Sequence, residues 1–178
     1  MRRRLIIFGI VLIIGIGGVI LFTDVLDNPA AASEVDGIPI GLAVGQRAPD
    51  FTGTTVNGDV VSLRDYRGRT VLVNVFASWC GPCIAETPHL VEAYNTSLDD
   101  AVVVGLNLLE STDAVMAYQD EFSISYPLVM DPDSEITSVY QPIGLPTSWF
   151  IDPEGIVRYV HIGPMTLAQI QEALIQAQ

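Results

Sequence analysis

The chain has 178 residues, with eight basic and 21 acidic side chains and a formal net charge of −13. Three of its arginines precede the first apolar run and there is no lysine, so from Thr23 onward 21 acids face five arginines, a formal charge of −16. A field of that sign argues against a nucleic-acid surface. It also leaves no ammonium to hold a thiolate or a carboxylate.

In chain order, Arg2, Arg3 and Arg4 stand before Leu5 to Phe22, eighteen residues without a charge. That length fits a transmembrane span. Ala30-Ala31-Ala32 offers the rival reading of a cleaved signal peptide, but it lies beyond Asp24 and Asp27 and the apolar run exceeds a usual signal core. An uncleaved anchor over 1–22 is therefore expected, its arginines cytoplasmic and the rest of the chain outside the membrane. Residues 23–42, with Asn28-Pro29, the alanines, Gly37, Pro39 and Gly41, read as a linker. Residues 43–178 are long enough for one domain with its own core.

Within that domain, Phe51–Thr55 and Val60–Leu63 flank Asn57-Gly58, a signal for a tight hairpin turn. Thr70–Ala77 is a β-branched apolar run that predicts a central strand buried on both faces. Trp79-Cys80-Gly81-Pro82-Cys83 follows at once and holds the only two cysteines. Helical spacing then runs over 82–97, with Pro82 suited to the first turn and Pro88 expected to kink the helix. A second buried strand is predicted over Ala101–Asn107, a helix near 112–122 and a short strand over Tyr126–Met130. Asp131-Pro132-Asp133 reads as a helix start leading to Tyr140. Thr147–Asp152 and Ile156–Ile162 form a hairpin around Pro153-Glu154-Gly155. Thr166 and Gln169 make a capping box for the last helix, with Met165 stapled to Ile170. Alternating strands and helices closed by a hairpin and a helix imply a mixed sheet covered on both faces.

Two cysteines separated by two residues can form a redox couple, hold a metal or staple the chain. A structural zinc site asks for four ligands, and only His89 and His161 remain, at no finger-like spacing. A bridge across two residues removes little unfolded-chain entropy. A redox pair is the reading the residues favour.

Strand–WCGPC–helix, Gly144-Leu145-Pro146-Thr147 entering a strand, and the closing hairpin and helix resemble the thioredoxin superfamily. Gly45-Gln46-Arg47-Ala48-Pro49-Asp50-Phe51 with its hairpin resembles the opening extension of the redoxin (AhpC/TSA) branch. The helix–strand–helix between Asn107 and Pro146 resembles its central insertion. With the anchor, the chain is similar to the TlpA/ResA/CcmG group of membrane-anchored thiol-disulfide oxidoreductases. Thr147, where the CcmG type has Glu, points toward ResA and TlpA. A peroxiredoxin would need Pro-x-x-x-Thr/Ser-x-x-Cys, whereas Val75 and Ala77 precede Cys80. A Sco-type copper chaperone spaces its cysteines by three.

The resemblance implies a three-layer α/β/α fold and a protein-disulfide reductase whose only redox group is the cysteine pair, with neither cofactor nor metal. Cys80, at a helix N-terminus where free N–H groups favour negative charge, is expected to be the exposed nucleophile. Cys83, one turn inside, is expected to be the buried resolving thiol. Gly81-Pro82 is the dipeptide of thioredoxin, whose potential is about −270 mV. In thioredoxin a buried acid stands six residues before the first cysteine, where this chain has Asn74. The anchored reductases instead carry Glu three after the second cysteine, matched here by Glu86 with Pro88 beyond it. Glu86 is accordingly expected to be partly buried, raised in pKa and able to take the Cys83 proton. Pro146 is expected to be cis beside the disulfide, with Leu145 and Thr147 at the substrate-binding edge. Trp79 is either the flat wall of the site or a core aromatic. Expected partners are protein disulfides, with apocytochrome c or a copper-site protein among them, and a membrane thiol donor. A disulfide oxidant or isomerase and a Cu(I) chaperone remain the alternatives.

Overall fold

The computed structural model describes residues 34–35, 37–96 and 101–178. The expected anchor over 1–22 and most of the expected linker lie outside them. No helix among the described residues is long and apolar enough to cross a membrane. Two short strands, β1 (Glu34–Val35) and β2 (Ile38–Pro39), pair with each other. Residues 39–41 then bond through their backbone to Arg47, with Arg47 N–H to Pro39 O at 2.9 Å and Gly41 N–H to Arg47 O at 2.9 Å. This end of the expected linker is thus laced to the domain.

β3 (Thr52–Thr54) and β4 (Val60–Ser62) form the expected hairpin, but their register, with Thr54 opposite Val60, leaves a five-residue loop in place of a two-residue turn. Gly58 at φ 92° supplies the left-handed step, and Thr55 N–H closes the loop on Asp59 O at 2.7 Å. A 3₁₀ turn, Leu63–Tyr66, leads into β5 (Thr70–Phe76), buried along its whole length as its apolar run predicts.

The main sheet has the order β7-β6-β5-β8-β9, in which β6 (Ala101–Leu108) and β7 (Leu128–Asp131) run parallel to β5, β8 (Thr147–Ile151) runs antiparallel to it, and β9 (Val157–Ile162) pairs antiparallel with β8. Strand alternation sorts the core in two. Leu72 and Phe76 of β5 point to one face with Leu90 and Ala93 of α1 (Gly81–Thr96), Val115 and Tyr118 of α2 (Thr112–Phe122), and Ile170 and Leu174 of α4 (Leu167–Gln176). Val71, Val73 and Val75 point to the other, with Phe51, Leu63 and Tyr140. That second layer is built from the opening extension, the 3₁₀ turn and the short α3 (Glu135–Tyr140), so it is less helical than a full α/β/α sandwich.

α3 starts later than Asp131-Pro132-Asp133 suggested. Its N-cap position, Ser134, is left-handed and makes no side-chain cap. Asp131 caps the helix from the end of β7, its carboxylate accepting from Ile136 N–H (3.1 Å), Thr137 N–H (2.7 Å) and Thr137 Oγ1 (2.7 Å). The capping box of α4 is present as expected, and Met165 and Ile170 are both buried in the first core cluster.

Candidate active site

β5 ends at Phe76, and Ala77-Ser78-Trp79 carries the chain to the first turn of α1. Cys80 N–H bonds to Ala77 O at 3.1 Å, and Ile84 N–H to Cys80 O at 3.0 Å, so Cys80 stands where α1 begins. Cys80 and Cys83 form a disulfide. Cys83 N–H, one of the helix's unpaired amides, points at Cys80 Sγ from 3.2 Å. An amide held there favours negative charge on that sulfur once the bridge opens.

Both cysteines are buried in this oxidised state, Cys80 at 6% exposure and Cys83 at 2%, against the expectation of an exposed Cys80. The bridge turns Cys80 Sγ toward Cys83, and both sulfurs join the cluster of Phe76, Leu90 and Met165. Gly81 and Pro82 lie at the surface in front of them. Trp79 is 69% exposed, which removes the core-aromatic reading and leaves a flat apolar wall beside the disulfide. The Leu145-Pro146 bond is cis, as the resemblance implied. Leu145 is half-buried, whereas Thr147 is fully inside. Thr147 pairs with Val75 and Ile162 in the sheet and gives its hydroxyl to Gly144 O at 2.6 Å, so it shapes the loop from within and presents no side chain to a substrate.

Glu86 lies one helical turn below Cys83 and is 1% exposed. Its Oε1 accepts the Met165 N–H at 2.9 Å and its Oε2 accepts the Asn74 amide at 3.0 Å. Asn74 Nδ2 also donates to Ser148 Oγ at 2.9 Å, which fixes the amide between β5 and β8. Burial pushes the Glu86 carboxyl up to about 7, while the Met165 and Asn74 donors pull it back down. A carboxyl poised there is charged or neutral near physiological pH, as a proton acceptor for a buried thiol needs to be.

Three participants were not singled out in the sequence as parts of the site. Met165 supplies a backbone donor, Ser148 steadies Asn74, and Glu110, just beyond β6, holds the approach to Cys80. Glu110 Oε2 accepts from Ser78 N–H (2.7 Å) and Asn107 Nδ2 (2.6 Å), and Oε1 accepts from the Ser78 hydroxyl. The only sequence signal for Glu110 was an acid just past a buried strand.

A dithiol/disulfide pair at a strand–helix junction, flanked by a cis proline and a buried acid, defines a thioredoxin-fold redox protein. Residues 44–160 match the AhpC/TSA family, and the chain belongs to it. Among curated relatives, the thioredoxin-like protein YneN of Bacillus subtilis is 32% identical over 76% of this chain and 81% of its own. The thiol-disulfide oxidoreductase ResA of Geobacillus kaustophilus is 34% identical over 75% and 77%. The solved thiol:disulfide interchange protein of the thioredoxin family from Chlorobium tepidum superposes with a TM-score of 0.67 at 33% identity, over 74% of this chain and 94% of its own. The chain is thus a thiol-disulfide oxidoreductase of the ResA kind.

Proposed function

We propose that this protein works outside the cytoplasmic membrane, anchored by residues 1–22, as a reductant of disulfides in exported proteins. The observation that carries the reading is the Cys80–Cys83 pair with Glu86 buried one turn below it. The names of the ResA relatives support the reaction class, and the uncharged run Leu5–Phe22 behind three arginines supports the location.

In the reaction, the Cys80 thiolate attacks one sulfur of a substrate disulfide and releases the other as a thiolate. Cys83 then gives its proton to the Glu86 carboxylate and attacks Cys80 Sγ, releasing the second substrate sulfur as a thiolate. The substrate gains two electrons and two protons, one of which Glu86 can return, and the protein is left as the disulfide. A membrane thiol carrier restores the dithiol. Apocytochrome c and copper-site proteins are the expected substrates. Both histidines have partners other than the sulfurs, His89 with Met165 O and His161 with the Tyr159 hydroxyl, which favours redox exchange over Cu(I) carriage.

Equilibration with a dithiol buffer tests the direction. A potential near that of thioredoxin, about −270 mV, is expected, and one near that of DsbA, about −120 mV, would replace reductant by oxidant. Cys83→Ala should accumulate mixed disulfides on Cys80 with exported proteins. Stoichiometric Cu(I) binding without disulfide reduction would instead establish the chaperone.

A further inference from the structure

In the sequence His89 reads as an ordinary helix residue, yet it sits three residues after Glu86 on the same face of α1. The two side chains reach one residue of the loop that joins β9 to α4. Glu86 Oε1 accepts the N–H of Met165 at 2.9 Å, and His89 Nδ1 lies 3.0 Å from the C=O of the same residue. A carbonyl oxygen only accepts, so Nδ1 carries the proton and donates. The loop is tied at its other end as well. Gly163, at φ 101°, gives its N–H to Pro146 O at 2.9 Å, behind the cis peptide. The Met165 side chain is 2% exposed and packs in the cluster that holds both cysteines.

We infer that His89 is a positioning residue for Glu86, a second grip on Met165 that keeps its N–H aimed at the carboxylate which serves Cys83. The inference rests on the reading of Glu86 as the proton acceptor. Without His89, the C=O end of residue 165 is free and the N–H loses its fixed direction. Glu86 then keeps the Asn74 amide as its remaining donor.

The titratable groups around this carboxyl are few. Cys83 stands one turn above it, His89 one turn below, and Glu92 one turn further along α1. Tyr118 from α2 and Tyr126 before β7 feel its charge, and β5 and β8 contribute only the uncharged Asn74 and Ser148. Burial and the two donors set its balance. Losing a donor to the charged form therefore moves Glu86 toward the neutral acid, and Cys83 loses its acceptor on the acid side of the profile.

The test uses the full-length protein with Cys80 loaded as a mixed disulfide with thionitrobenzoate, whose release reports the attack by Cys83. His89→Phe should move the pH profile to the alkaline side. A midpoint displaced by about one pH unit slows release about tenfold at low pH and leaves it intact at high pH. His89→Asn keeps a donor at the Nδ1 position and should return the profile toward wild type. Exchange of the Met165 amide with solvent should speed in His89→Phe and slow again in His89→Asn. An unmoved profile in His89→Phe, where Glu86→Gln still abolishes the pH dependence, overturns the role of His89 and leaves that of Glu86 standing. Equal displacements in the Phe and Asn variants also overturn it. An unchanged profile in Glu86→Gln removes the Glu86 reading itself.

Discussion

Glu86 is the residue at which burial and the proposed proton transfer pull in opposite directions. A carboxyl with 1% exposure and two neutral donors is costly to ionise, and its pKa stands near 7 against 4.5 for a free glutamate. The folded state thus binds the proton more tightly than the unfolded chain. The stability this confers is complete below about pH 4.5 and is lost as pH rises through about 7, a change of about 3 kcal/mol. Thermal unfolding of the oxidised protein should show a higher midpoint at pH 5 than at pH 8, and Glu86→Gln should flatten that dependence. An equally steep dependence in the variant would assign the effect to another group. Asn74→Asp places a second acid 3.0 Å from the first. Two such carboxyls cannot both ionise cheaply, so the variant should slow Cys83 resolution below neutral pH and titrate as a pair.

At the scale of the elements, the site is a junction of β5 and α1 held in place by its neighbours. Glu110 reaches from the end of β6 to both polar groups of Ser78, two residues before Cys80. Glu110→Ala leaves a half-buried N–H and hydroxyl without their charged partner, a loss of about 2 kcal/mol. Chemical denaturation should show that decrease, and substrate reduction should slow because Trp79 and Cys80 are no longer presented in one position. Gly105, beside Asn74 in the register of β6, is a second supporting point. A Cβ there would lie 2.7 Å from Leu128 Cδ2 and 3.0 Å from the Phe76 ring. Gly105→Ala should destabilise by about 1–3 kcal/mol through displacement of Phe76 under the active site. A neutral outcome in urea titration would show that Leu128 yields freely.

Among the described residues the arginines lie toward one end of the strands. Arg47, Arg67, Arg69 and Arg158 gather at the end where β5 starts and β8 turns, around Asp152 and Glu154. Arg64 pairs with Asp50 on the turn leading there. The other end carries the disulfide, with Glu110, Asp113, Asp133 and Glu135 near the strand tips and neither lysine nor arginine in residues 76–84, 108–113, 131–135, 143–147 or 162–166. Trp79, Leu109 and Ile143 add exposed apolar surface there, at 69%, 59% and 87%. A face of that kind is expected to favour a cationic, apolar-flanked cysteine segment. Model peptide disulfides with lysine flanks should react about tenfold faster than those with glutamate flanks at low salt, and the gap should narrow toward physiological ionic strength. Equal rates for both peptides would make the polarity irrelevant to selection.

Much of this was legible in the order of residues because it rests on local rules. The run Thr70–Phe76, the two cysteines at a helix start and the Thr166–Gln169 capping box each act within a few positions, so spacing alone reveals them. The exchange of an acid at position 74 for one at position 86 was readable for the same reason, through a resemblance in spacing. The partners that make the site work were not. Glu86 meets Met165 across 79 positions and Ser78 meets Glu110 across 32, and no periodicity records such a meeting. The burial of Cys80 and Thr147 and the late start of α3 likewise follow from what packs around them. Sequence named the groups expected to do the chemistry; only the folded chain, by placing low-dielectric walls and two donors around one carboxyl, decided how far its pKa is raised.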